Sequence, residues 1–133
     1  MKYQTPPQPR QLRLDTTTRC NASCLSCHRH ISCRSGEMPW EMASAIILDA
    51  ASWRKPLEEL VPVNYGEALL YPYWRELFEE AQKYLPGTNI VLPTNGLLMI
   101  EENVRFLASI KTLKLVNFSI NAANPETLRL LWA

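Results

Sequence analysis

From Gln11 onward the chain alternates short apolar stretches with longer amphipathic ones. Leu12 and Leu14 are flanked by polar residues across Gln11 to Thr16, the two-residue period of a short strand. A stretch without period follows. Then Met42, Ile46, Ala50 and Trp53 recur at spacings of four, four and three, which predicts an amphipathic helix with Pro39 at its first position. Leu60 to Asn64 reads as a second strand. Pro72 opens a second helix whose apolar stripe is Leu77, Phe78, Ala81, Tyr84 and Leu85, stopped by Pro86 and Gly87. Asn89 to Pro93 is a third strand and Glu101 to Ile110 a third helix, with Val104, Leu107 and Ala108 on one face. Leu113 to Ile120 is a fourth strand. Asn124 caps a fourth helix with Pro125 at its first position and Glu126 in its first turn; Leu128, Leu131 and Trp132 start its stripe.

Four strand–helix units in succession predict an α/β fold with a parallel sheet and right-handed crossovers. Two residues fit awkwardly: Pro62 and Pro93 fall inside predicted strands, where each removes a ladder donor. The fourth helix stops after about two turns, and four parallel strands do not close a barrel. A partial barrel, truncated after its fourth unit, is therefore expected.

With 133 residues, 47% of them hydrophobic, the chain is expected to form one domain with a real core. Residues 1–11 are polar and hold Pro6, Pro7 and Pro9, so a loose tail is expected there, with residues 12–133 forming the domain. The tail lacks the apolar stretch of a secretory signal, and no run spans a bilayer. A net charge of +1 gives no nucleic-acid footprint and no membrane patch.

All four cysteines, Cys20, Cys24, Cys27 and Cys33, fall in one short segment. A disulfide framework would instead staple distant parts of a fold. With no export signal, a reducing, cytoplasmic compartment is expected, and metal binding with it. The spacing C-x3-C-x2-C lets three soft thiolates converge on one iron–sulfur group while leaving one iron without a protein ligand. On spacing alone a structural zinc loop stays open, using the three cysteines with His28, His30 or Cys33. Inert buried thiols fit poorly with Asn21, Ser23 and Ser26 in the same loop.

The segment Asp15-Thr-Thr-Thr-Arg-Cys20-Asn-Ala-Ser-Cys24-Leu-Ser-Cys27-His-Arg29 closely resembles the cluster loop of radical S-adenosylmethionine (SAM) enzymes. The resemblance implies that Cys20, Cys24 and Cys27 hold a [4Fe–4S] cluster. Its fourth iron would be chelated by the amino and carboxylate groups of SAM. One electron would then cleave SAM to methionine and a 5′-deoxyadenosyl radical that abstracts hydrogen from a substrate. Ser26 stands where the family often has an aromatic residue beside the adenine. Cys33 has no place in the pattern and reads as an incidental thiol.

Polar motifs follow the other strands, at the end where a parallel barrel builds its site. Asn64-Tyr65-Gly66-Glu67-Ala68 resembles the family's Gly-Gly-Glu-Pro stretch, with Tyr65 and Ala68 as departures. It implies that Gly66 and Glu67 receive the SAM amino group. Thr94-Asn95-Gly96 matches a frequent family sequence and implies that Asn95 is a further cofactor-binding residue at the same mouth. Ser119-Ile-Asn121-Ala122 resembles Ser-x-Asp-Ala, implying ribose contacts from Ser119 and Asn121. The electron donor implied is a flavodoxin or ferredoxin. The substrate is open, with a peptide or protein among the classes. The contrasting expectations are a zinc- or cluster-stabilised binding module without catalysis, and an inactive fragment.

Overall fold

The computed structural model describes residues 8–32 and 35–132; Cys33 and residues 1–7 of the expected tail lie outside them. Four strands, β1 (Gln11–Arg13), β2 (Glu59–Val61), β3 (Asn89–Thr94) and β4 (Leu113–Phe118), form one sheet in sequence order, every neighbouring pair parallel. The crossovers carry helices α1 (Trp40–Ala51), α2 (Trp74–Tyr84) and α3 (Glu101–Ser109), and α4 (Pro125–Leu131) follows β4. This is the α/β parallel arrangement that the alternation predicts.

The prolines mark where ladders stop. β2 ends at Val61, short of the expected Asn64, because Pro62 has no N–H to continue it. Pro93 sits within β3 at no cost. The Asn89 N–H points to β2 (Glu58 O, 2.9 Å) and the Ile90 N–H to the β4 side (Thr112 O, 2.8 Å), so odd-numbered residues of β3 face β2. The β2 pairing ends at Ile90, and the donor Pro93 lacks would point past it.

Buried residues from the sheet and three helices form a single apolar cluster. It includes Leu60, Ile90 and Leu92 from the strands, Ala43 and Ile47 from α1, and Leu77 and Phe78 from α2. The face α1 buries is rotated by one residue from the expected stripe. Ala43, Ile47 and Ala50 point inward, Met42 is exposed, Ile46 is partly buried and Trp53 lies beyond the helix end. α1 packs against α2, with the Ser44 hydroxyl donating to Glu80 at 2.6 Å across the pair, and this packing selects the face. Pro39 caps α1 rather than starting it, and Pro72 lies in the turn before α2. In α3 only Leu107 is buried, while Val104 and Ala108 face solvent; in α2 Tyr84 is likewise exposed. Arg75 bonds Glu102 at 2.6 Å and stacks over Trp74 and Phe106, tying α2 to α3.

Gln8 and Arg10, inside the segment expected to be loose, bond Lys55 and Glu58. α4 starts as expected: the Asn124 side chain accepts the Thr127 N–H at 2.8 Å and Pro125 follows it. Among the described residues, no helix is long and apolar enough to cross a membrane.

Candidate active site

The loops after the carboxyl ends of the four strands meet at one mouth of the sheet. The segment after β1 is held at its base before it reaches the cysteines. Thr18 N–H bonds Gly36 O at 3.0 Å, Met38 N–H bonds Thr16 O at 2.8 Å, and Gly36 N–H bonds Thr18 Oγ1 at 2.9 Å. The chain leaves for the cysteines after Thr18 and returns at Gly36 through a short antiparallel stitch, with Gly36 in a positive-φ conformation. Thr16 and Thr17 are fully buried, and Thr16 Oγ1 donates to Pro62 O at 2.7 Å, fixing the loop to the end of β2.

Gly66 packs against the same backbone. A Cβ there would stand 2.7 Å from Arg19 O and closer still to Thr17 O, so only glycine fits. The close approach expected of Gly66 is made to the cysteine loop itself. The next residue continues the contact, with Glu67 N–H donating to Arg19 O at 2.8 Å.

Cys20, Cys24 and Cys27 are free thiols, each half-buried. A turn joins two of them, with Cys27 N–H bonding Cys24 O at 3.0 Å. Cys27 then caps a short 3₁₀ turn (His28–Ile31), its Sγ accepting the Arg29 N–H at 3.4 Å. The Arg29 guanidinium donates to Ala22 O at 2.9 Å, and a His30 ring nitrogen lies 3.0 Å from Cys24 O. Leu25 N–H bonds Leu131 O at 3.0 Å, so the end of α4 reaches this loop. The Cys24 thiol is pushed up, first by burial and then by the neighbouring Cys20 and Cys27; Arg29 acts the other way. Cys24 therefore feels both of the other sulfurs, and a cationic iron–sulfur group would relieve that repulsion. Soft, half-buried donors with N–H groups already at two sulfurs suit such a group. Among the described residues, no three His, Cys, Asp or Glu side chains are placed to hold a single metal ion.

Glu67 is 2% exposed. Its Oε1 accepts from Thr94 Oγ1 at 2.8 Å and from Leu69 N–H at 3.4 Å, and its Oε2 from Asn95 N–H at 2.8 Å. Asn95 turns back to the cysteine loop, with Nδ2 2.8 Å from Asn21 Oδ1 and 3.6 Å from Cys20 Sγ. Ser119 is anchored through its N–H to Thr94 O at 2.8 Å, and the side chains of Ser119 and Asn121 are exposed beside it.

The structure thus brings Cys20, Cys24, Cys27, Gly66, Glu67 and Asn95 into one bonded assembly, with Ser119 attached through Thr94. Three contributors lie in the motifs without a role assigned there. Thr94 is the hydroxyl that fills one side of Glu67, Asn21 accepts a bond from the Asn95 amide, and Arg29 pins the loop. The run of three threonines before Arg19 was the available signal for a buried, stitched loop base.

A parallel α/β sheet with a three-cysteine loop after its first strand is the arrangement that the sequence leads one to expect of an iron–sulfur, SAM-dependent enzyme. The radical SAM superfamily profile matches residues 14–132, and the chain belongs to that superfamily. It is 34% identical over 123 residues to the "Probable GTP 3′,8-cyclase" of Methanosarcina acetivorans, covering 86% of this chain and 34% of the relative. It is 29% identical over 111 residues to the "Tungsten-containing aldehyde ferredoxin oxidoreductase cofactor-modifying protein" of Pyrococcus furiosus, covering 83% and 30%. The chain spans about one third of the length of these curated relatives. Among solved structures it resembles BtrN in complex with AdoMet and 2-DOIA, with a TM-score of 0.75, 19% identity, and 92% and 50% of the two chains covered. It also resembles Streptococcus suis SuiB bound to precursor peptide SuiA, with a TM-score of 0.60, 19% identity, and 82% and 24% covered. Enzymes of this superfamily carry out SAM-dependent radical chemistry with a [4Fe–4S] cluster.

Proposed function

We propose that Cys20, Cys24 and Cys27 hold the three protein-ligated irons of a [4Fe–4S] cluster whose remaining iron receives SAM. The supporting observation is a loop closed at its base that presents three half-buried thiols, Cys24 within electrostatic reach of the other two, at the carboxyl mouth of a parallel sheet. When bound, the two groups supply an electron and a carbon-centred radical that takes hydrogen from a substrate.

The chain's own residues orient and shield. Gly66 and Glu67 set the cysteine loop against the end of β2, and the SAM amino group is received beside them, with Glu67 supplying the negative charge from a buried position. Ser119 and Asn121, exposed at the end of β4, are the polar groups for the ribose. The reductant is a one-electron carrier of the flavodoxin or ferredoxin kind. The substrate belongs to the classes handled by related enzymes, a peptide among them, since SuiB was solved with a precursor peptide.

The test is anaerobic reconstitution with iron and sulfide. The chain should take up about four irons, turn brown, and give a reduced EPR signal that changes when SAM is added. Cys→Ala at any of positions 20, 24 or 27 should abolish that signal. A colourless chain holding one tight zinc would overturn the proposal in favour of a zinc-stabilised module.

A further inference from the structure

Asn95 lies in a motif that would ordinarily be read as a turn or as a contact to SAM. Its hydrogen bonds leave no room for either role alone. The backbone N–H is taken by Glu67 Oε2 at 2.8 Å. The side-chain oxygen accepts the Leu97 N–H at 2.9 Å, which fixes which end of the amide is nitrogen. One side-chain N–H points to Asn21 Oδ1 at 2.8 Å and the other to Cys20 Sγ at 3.6 Å. Both amide protons are then committed, and the carbonyl oxygen has its partner. Behind it, Glu67 is buried and is held in turn by Thr94 and Leu69.

We infer that Asn95 is a positioning residue for the iron–sulfur cluster, donating an N–H···S hydrogen bond to Cys20 and held in place by the buried Glu67 carboxylate. It acts on the cluster through Cys20, and SAM is bound by other groups. The inference rests on the cluster assignment made above. An N–H aimed at a ligating sulfur draws electron density from it, and such bonds raise the reduction potential of the cluster. Losing a donor therefore makes the cluster harder to reduce.

The experiment is an EPR-monitored redox titration of the reconstituted chain without SAM, together with iron content and SAM affinity. Asn95→Ala is expected to hold as much iron as the parent. Its reduction equilibrium should shift about tenfold toward the oxidised cluster, about 59 mV for one electron. SAM affinity should stay within about threefold. Asn95→Asp keeps the size and the acceptor for Leu97 but has no donor. It should shift the same way and further, and it carries the test if the alanine variant loses iron. Asn21→Ala leaves the N–H···S donor in place and should shift far less than Asn95→Ala.

An unchanged potential in both Asn95 variants overturns the inference, as does an equal shift in Asn21→Ala. Weakened SAM binding at an unchanged SAM-free potential would make Asn95 a SAM ligand instead. If the parent chain assembles no cluster, it is the cluster assignment that fails. A parent cluster whose EPR signal ignores SAM counts against SAM binding and leaves the Asn95 result readable.

Discussion

Gly66 shows how far a single side chain reaches at this site. Its missing Cβ lets the loop after β2 lie on the Thr17 and Arg19 carbonyls. Gly66→Ala has no flexible neighbour to displace, since the atoms in the way are backbone. Overpacking of this kind costs about 1–3 kcal/mol. The variant should lose about that much in urea unfolding, and cluster retention should fall with it, because Arg19 directly precedes Cys20. Stability equal to the parent would mean that the two loops separate easily. The need for glycine was readable in the sequence, but the reason was not. A family motif suggests a bound cofactor, whereas the packing partner lies some fifty residues earlier in the chain. Glu67 is a similar case: a charged loop residue reads as solvated, and only the fold brings Thr94 and Asn95 to its oxygens.

At the scale of elements, Tyr71 joins the turn before α2 to the entry of α1, its hydroxyl donating to Met38 O at 3.0 Å. Burial, with smaller contributions from Tyr73 and nearby glutamates, pushes its pKa from 10.0 to about 12. Below pH 10 the folded and unfolded chains both keep this proton. Between about 10 and about 12 the unfolded chain gives it up first, so folding loses on the order of 2 kcal/mol from this group as pH rises. Tyr71→Phe should be less stable by about 1 kcal/mol at neutral pH, from the lost hydrogen bond. Its stability should fall less steeply above pH 10, as denaturant melts at a series of pH values would show. Parallel profiles for the two proteins would rule the hydroxyl out as the titrating group. The same scale shows what periodicity can read. The order of strands and helices, and the Asn124 cap, follow from local spacing and local chemistry. The buried face of α1 does not, because Met42 and Ala43 are both apolar and the choice between them is made by α2. The end of β2 is set by Pro62 whereas β3 runs through Pro93, and periodicity alone does not tell the two prolines apart.

For the molecule as a whole, β4 is the exposed side of the sheet. Among the described residues it pairs only with β3, and Leu115, Phe118 and Ile120 are 53%, 46% and 70% exposed. A groove of about 300 Å³ between α3 and β4, lined by Val104, Leu107, Leu113 and Leu115, adds to this surface. An unpaired strand edge with apolar neighbours is a site for self-association. The chain should therefore show concentration-dependent light scattering, and the double variant Leu115→Lys, Ile120→Lys should reduce it without a loss of helix signal by circular dichroism. Identical scattering from parent and variant would locate the association elsewhere.

The stitch between Thr16–Thr18 and Gly36–Met38 holds the base of the thiol-bearing loop through main-chain bonds and the Thr18 hydroxyl. Metal loading then has little folding to do, unlike in small zinc domains that collapse only around their ion. On the proposed assignment, a cluster lost to air would leave behind a scaffold ready to be refilled. Repair would then be a matter of delivering iron and sulfide, with no need to make the polypeptide again.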